Sequence, residues 1–160
     1  MAQERPSENG GRNRTSTEHG QVWTIGYEGR TLDQLVADLR AAGVVQVVDV
    51  RELPLSRKQG FSKSGLAAGL KASGLHYVGE RRVGAPREAR HRLREGGPWE
   101  PFANAYLAHL DGQVEAVREV ERLARTRRTA LLCYERDGLA CHRGLLAARL
   151  AQRGFLPVHL

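Results

Sequence analysis

Short apolar runs alternate with segments of helical periodicity along this chain, and this alternation is its most constraining feature. The β-branched run VVQVVDV is typical of a strand that is buried on both faces. Similar runs are VWTIGY, LHYVG, TALLCY and FLPVHL. Leu32, Leu35 and Leu39 form an apolar stripe at helical spacing between two of these runs. The order predicts a three-layer α/β fold with a mostly parallel sheet of about five strands, Rossmann-like or flavodoxin-like.

Helix caps and composition set the boundaries of the domain. Thr31 and Gln34 form a capping-box pattern at the start of the first helix, and Ser62 or Ser64 is expected to cap the second. Residues 1–20 are polar and lack hydrophobic periodicity, so we expect a disordered leader there. Residues 21–160 then form a single α/β domain.

Charge and cysteine content indicate the class of partner and the compartment. The formal net charge is +7, carried mostly by arginine, which favours an anionic partner, although arginine usage in a GC-rich genome is an equal alternative. No apolar run is long enough to cross a membrane, and no apolar segment typical of a secretory signal is present. Two cysteines without export do not indicate a disulfide framework. We therefore expect a cytoplasmic protein without membrane partners.

The candidate site lies where the loops leave the strands, because parallel strands place their carboxyl ends on one edge of a sheet. The loops after four predicted strands all carry charge. The expected substrate-binding residues are Tyr27, Arg30, Arg51, Arg57, Arg136 and Arg143, and the expected catalytic residues are Asp49, Glu135, Cys141 and His142. Arginine forks and helix N–H groups suit phosphate oxygens, and a carboxylate or histidine suits proton transfer.

The stretch CYERDGLACHR, residues 133–143, admits three interpretations. In the first, Cys141 at a helix start beside Arg143 is a nucleophile, with a packing cysteine as the alternative, and Cys133 is a buried strand residue. In the second the stretch binds metal, but the spacing fits no common zinc pattern, and Cys141 and His142 on one helix would point about 100° apart. We therefore expect no metal and no cofactor. In the third it is an anion-binding turn.

Four segments resemble the bacterial and archaeal domain-of-unknown-function family 488. They are TIGYEGRTLDQLVADL, DVRELPLSR with its Asp-Val-Arg…Pro…Ser-Arg pattern, LHYVGERRVGAP, and LLCYERDGLACHRGLLAARL with its Cys…Glu…Cys-His-Arg pattern. The resemblance covers roughly Trp23 to Leu160 and implies a three-layer α/β fold without an assigned chemistry. Residues 83–85 (VGA) replace the family's Leu-Gly-Gly turn, and residues 138–139 (GL) replace a more usual Pro-Glu pair.

Two classes of function follow from these features. The first is an enzyme that acts on a phosphate-bearing substrate, a nucleotide or nucleic acid, in the arginine and carboxylate cleft. A cysteine-dependent enzyme that uses Cys141 for thiol or sulfur-transfer chemistry is a separate alternative. The second is a non-catalytic nucleic-acid-binding module that uses the arginines of residues 81–94 and 118–128 to track phosphates. For the second segment we favour a solvated helix face.

Overall fold

The computed structural model describes residues 20–160, and within them the chain forms five strands, six α-helices and two short 3₁₀ turns. The strands are β1 Gly20–Gly26, β2 Gln46–Asp49, β3 His76–Gly79, β4 Thr129–Cys133 and β5 Phe155–His159. The helices are α1 Leu32–Ala41, α2 Lys63–Ala72, α3 Arg87–Arg94, α4 Trp99–Asp111, α5 Val114–Thr126 and α6 His142–Ala151. The 3₁₀ turns are Arg81–Val83 and Gly138–Ala140.

All strand pairs are parallel, and the strand order is β3-β2-β4-β1-β5. The prediction of a three-layer α/β fold is confirmed. β4 lies between β1 and β2, whereas the Rossmann and flavodoxin orders pair those two strands directly. The loops that follow β1, β2 and β4 are therefore neighbours at the carboxyl edge of the sheet.

The sheet is covered on both faces because successive side chains of a strand point to opposite sides. Alternate residues of the central strands belong to two separate buried clusters. One cluster joins Val22, Val48 and Leu131 to helices α4, α5 and α6. The other joins residues such as Ile25 and Leu132 to α1 and α2. Because both faces of the central strands are buried in these clusters, the strands appear in the sequence as continuous apolar runs.

The predicted helix boundaries agree closely with the structure. Thr31 caps α1, with both hydrogen bonds of the capping box to Gln34 present. Of the two candidate caps for α2, Ser62 is the one used, since its hydroxyl accepts from the N–H of Gly65. β1 begins at Gly20, the last residue of the predicted leader and two residues before the apolar run VWTIGY, because pairing with β5 extends the strand. The rest of the predicted leader lies outside the described residues.

The arginine-rich stretch between β3 and α4 forms a 3₁₀ turn and the short helix α3. No residue of α3 is buried. None of the helices within residues 20–160 combines the length and the apolar composition that crossing a bilayer requires.

Candidate functional site: a thiol and carboxylate cleft

Backbone hydrogen bonds tie together the loops at the carboxyl edge of the sheet. After β1, the N–H of Tyr27 donates to the carbonyl of Cys133 at 3.2 Å, and the N–H of Glu28 donates to that of Tyr134 at 2.8 Å. After β3, the N–H of Glu80 donates to the carbonyl of Asp49 at 3.0 Å. The loops that carry the predicted residues therefore meet at one edge, as the parallel sheet requires.

Glycines allow two of these loops to approach very closely. A Cβ at Gly26 would lie 1.8 Å from the carbonyl oxygen of Glu135, and a Cβ at Gly144 would lie 2.0 Å from that of Gly138. No side chain fits at either position without moving backbone. The contact at Gly26 fixes where β1 meets the loop after β4, and thereby where Glu135 stands.

Asp49 and Arg51 form a buried ion pair. The Nε and Nη2 atoms of Arg51 donate to the two Asp49 oxygens at 2.8 and 2.7 Å, and the hydroxyl of Tyr77 donates to Oδ2 at 2.7 Å. The Nη1 atom of Arg51 donates to the carbonyl of Phe61 at 2.7 Å and to the hydroxyl of Tyr27 at 3.3 Å. Burial, together with the Asp49 charge, raises the pKa of Tyr77. This network joins β2, β3 and the following loop.

Arg30 and Arg143 also bind groups of this chain. Arg30 donates to Asp38 at 2.8 Å and to the carbonyl of Gly26 at 2.6 Å. Arg143 is fully buried and donates to the carbonyls of Glu135 and Arg136. Burial lowers the pKa of Arg143 to about 10, so it remains a cation at neutral pH. These two guanidinium groups position the loops of the site.

The two other predicted arginines, Arg57 and Arg136, are exposed. Their guanidinium groups have no hydrogen-bond or ion-pair partner among residues 20–160. On the outer face of α5, by contrast, the arginines pair with glutamates one turn earlier, as in the Arg118–Glu115 contact at 3.0 Å. Such ion pairs between exposed side chains are typical of a solvated helix face.

A cavity of about 360 Å³ opens at the carboxyl edge of β4. We refer to it below as the cleft. Tyr27, Arg51, Glu135, Cys141 and His142 of the predicted set line it, and the cavity brings them together. Asp49, Arg30 and Arg143 are held beneath or beside the cleft by the contacts described above.

The lining includes residues that the sequence interpretation did not place in the site. They are Glu52, Leu53, Leu55, Arg90, Leu93, Arg94, Phe102, Cys133, Tyr134 and Ala140. Arg90 and Arg94 come from α3, which follows β3 by a long excursion rather than directly. The sequence of α3 is mostly charged, which indicates an exposed helix. It does not indicate toward which part of the domain the helix turns.

The innermost wall of the cleft is a cluster of two sulfurs, an imidazole and a carboxylate. The Sγ atoms of Cys133 and Cys141 each lie 3.1 Å from Oε2 of Glu135. Nδ1 of His142 lies 3.5 Å from Sγ of Cys141. The cysteines and the histidine are buried, whereas Glu135 is exposed to the cleft.

His142 is held in one orientation by the backbone of the neighbouring strand. Its Nε2 lies 2.9 Å from the carbonyl oxygen of Val50, which only accepts, so Nε2 carries the proton and Nδ1 presents a lone pair. Burial lowers the pKa of His142 to about 4. The imidazole that faces Cys141 is therefore neutral, and at neutral pH it lacks the additional proton that a general acid donates.

The geometric objection to joint action of Cys141 and His142 does not hold. Cys141 is the N-cap of α6 and has extended backbone, with φ −139° and ψ 150°. The 100° rotation between successive helical residues applies only inside the helix. The extended N-cap turns the thiol toward the imidazole, and ligand atoms of Cys133, Cys141 and His142 all lie within 4.8 Å of one another.

The sequence model of one protein family, described as "Domain of unknown function DUF488", matches residues 31–150. The chain belongs to this family. The matched part of the DUF488 domain runs from the Thr31 cap into α6, so it contains Glu135, Cys141 and His142, while Tyr27 lies before it. Comparison with curated proteins and with solved structures gave no match.

Proposed function

We propose that this chain is an enzyme that acts on a phosphate-bearing anion, a nucleotide or nucleic acid, in the cleft. The observation that carries the proposal is the position of Glu135. Its exposed carboxylate stands at the cavity wall beside two buried sulfurs, at the carboxyl edge of a parallel sheet. Ligands of open α/β sheets bind at that edge.

Glu135 is the carboxylate that is available to a substrate. Both oxygens of Asp49 accept from Arg51 or Tyr77, so Asp49 has no capacity left for a substrate proton. Glu135 uses Oε2 toward the sulfurs, and its Oε1 has no partner within residues 20–160. We assign Glu135 as the group that transfers a proton to or from the substrate, or that stabilises positive charge developing on it.

The cleft is lined by both cations and apolar side chains, a combination that suits a nucleotide. Arg94 is exposed and has no ion-pair partner in the described part of the chain, and Arg90 reaches the cavity while donating to Glu52 at 2.6 Å. Leu55 and Tyr134 are 76% and 48% exposed, and both line the cavity. Arginine suits the phosphate, and the apolar surface suits the base.

The test is turnover of a panel of nucleotides and oligonucleotides, followed by liquid chromatography and mass spectrometry. Loss of a general acid or base lowers kcat by roughly 10²- to 10⁴-fold, which is the effect expected for Glu135→Gln. Arg94→Gln is expected to raise KM more than it lowers kcat. Arg118→Gln, on the outer face of α5, is the matched control and keeps wild-type kinetics. No turnover of any member, or unchanged turnover in Glu135→Gln, contradicts the proposal.

A second candidate function is thiol chemistry through Cys141. The observation that favours it is the position of the sulfur at the N-terminus of α6, 3.1 Å from Glu135 and 3.5 Å from the lone pair of His142. A nucleophilic Cys141 predicts that Cys141→Ser abolishes turnover and that iodoacetamide labels Cys141 well below pH 8.5, the midpoint of an ordinary thiol. Labelling with an ordinary midpoint contradicts this candidate.

A non-catalytic nucleic-acid-binding module can be distinguished from the two enzyme candidates by the salt dependence of its affinity for DNA. Such a module loses affinity for duplex DNA by about 0.9 log units per phosphate contact for each log unit of salt. The pairing of the α5 arginines with glutamates leaves that face little net charge for phosphates. A flat salt response excludes the module.

A further inference from the structure

Three potential metal ligands converge on the inner wall of the cleft. Ligand atoms of Cys133, Cys141 and His142 lie within 4.8 Å of one another, and all three residues are buried. They come from two elements, the end of β4 and the start of α6, whose relative position the sheet fixes. Two thiolates and an imidazole form the ligand set of a three-residue zinc site with a fourth position open.

From this geometry we infer that Cys133, Cys141 and His142 bind a transition-metal ion of the Zn²⁺ class. Sulfur ligands select soft and borderline metals over Mg²⁺ and Ca²⁺, which prefer oxygen. Glu135 is the only carboxylate within 3.1 Å of both sulfurs in residues 20–160. It either completes the coordination or stands beside a water at the fourth position.

His142 is already oriented as a metal-binding histidine is. Histidine ligands almost always donate their second ring N–H to a carbonyl or carboxylate, which fixes the tautomer and directs the lone pair at the metal. Here Nε2 donates to the carbonyl of Val50 at 2.9 Å, and Nδ1 faces the sulfur of Cys141.

Arg143 contacts the ligand set from inside the domain. It is fully buried, and its Nη1 lies 2.8 Å from Sγ of Cys133 and donates to the carbonyl of Glu135. The guanidinium group therefore holds the end of β4 and the loop that carries Glu135 in a fixed relation to α6.

The sulfurs of Cys133 and Cys141 are in direct contact with each other, 2.50 Å apart, and the Cα atoms of the two residues are 7.8 Å apart. A disulfide between them and a shared metal ion exclude each other, because a metal ligand must be a thiolate. The metal-binding form of the cluster is therefore the reduced one, and binding is measured on the reduced chain.

The cluster is open on the side of the cleft, as catalytic metal sites are and structural metal sites are not. Structural zinc sites are closed by four protein ligands, whereas catalytic sites keep one position for water or substrate. The three ligands are buried but Glu135 is exposed to the cleft, so the fourth position faces the cavity. The inference is independent of the substrate class, because metal binding is measured without any substrate.

The experiment is a Co²⁺ titration of the reduced full chain under nitrogen, with Zn²⁺ competition. We expect one Co²⁺ per chain, a sulfur-to-cobalt charge-transfer absorption band, and displacement by Zn²⁺. Zn²⁺ is also expected to protect both thiols from a disulfide-exchange reagent. Absence of the charge-transfer band, or thiols that react at the same rate with and without Zn²⁺, overturns the inference.

Variants show which residues bind the metal. Cys133→Ser, Cys141→Ser and His142→Gln are each expected to weaken Co²⁺ binding by roughly 100-fold or more, since replacing even an outer-shell partner costs 10- to 100-fold. His91→Gln changes an exposed histidine of α3 and is the matched control. Circular dichroism reports whether each variant folds. Unchanged affinity in folded His142→Gln removes His142 from the site, and unchanged affinity in both serine variants overturns the inference.

Discussion

Replacement of Gly26 by alanine should displace the carboxylate of the cleft. The new Cβ would lie 1.8 Å from the carbonyl oxygen of Glu135, 2.5 Å from its carbonyl carbon and 3.0 Å from the amide nitrogen of Arg136. Ordinary contacts begin near 3.4 Å, so the oxygen must move by about 1.6 Å. β1 is hydrogen-bonded to β4 and β5 along its length, so the loop after β4 moves instead.

That displacement has two measurable consequences. Overpacking at a fixed backbone costs about 1–3 kcal/mol of unfolding free energy, which lowers Tm by roughly 3–10 °C for a domain of this size. A shift of about 1.6 Å also breaks the 3.1 Å contacts between Glu135 and the two sulfurs. We therefore expect Gly26→Ala to fold with reduced stability and to lose turnover by as much as Glu135→Gln does.

Gly20→Ala is the matched control for this prediction. It changes a glycine of the same strand, at the end away from the cleft, where a Cβ meets only the ring edge of Phe155 at 3.2 Å. Thermal unfolding and steady-state kinetics of the two variants are compared. If Gly26→Ala unfolds and turns over like the wild type, the loop does not depend on the glycine, and the positioning of Glu135 has been misassigned.

Three further predictions concern the framework around the cleft. Asp49→Asn leaves the buried guanidinium of Arg51 without its counter-ion, and urea denaturation is expected to show a loss of about 3–5 kcal/mol; a loss below 1 kcal/mol contradicts the buried pair. Tyr106→Phe deprives the carbonyl of Val83 of a 2.7 Å hydrogen bond in the core, and a loss of about 1–2 kcal/mol by the same assay is expected, without a change in turnover. Thr31→Ala removes the cap of α1 and is expected to cost about 1 kcal/mol, whereas Thr31→Ser should restore most of it.

The architecture was predictable because local and global signals agree. The run of residues 44–50 is mostly apolar on both faces, as is typical of a covered parallel strand, and β2 lies inside it. The capping box at Thr31 and the cap at Ser62 mark helix starts with hydrogen bonds made between near neighbours in sequence. Interactions of this range are encoded within a few residues, so a sequence shows them directly.

The roles of the arginines were not predictable, because their partners are set by the fold. Arg51 carries the same charge as Arg94 and follows a strand that leads into the cleft, yet it is saturated by Asp49, Tyr27 and Phe61. Arg94 sits on a polar helix that resembles solvated surface, yet it lines the cavity. Whether an arginine holds a loop in place or faces a ligand depends on contacts between segments that are distant in sequence. Composition does not reveal these contacts.

One buried side chain couples the two halves of the cleft wall. Arg143 belongs to α6, the helix that presents Cys141 and His142, and it donates to the carbonyls of Glu135 and Arg136 in the loop after β4. The thiol of Cys141 and the carboxylate of Glu135 are therefore held against each other by the same guanidinium, rather than by two independent loops. This is a physical reason for an arginine to be fully buried at this position: its forked donors span two carbonyls and a sulfur, which a lysine at the same position cannot do.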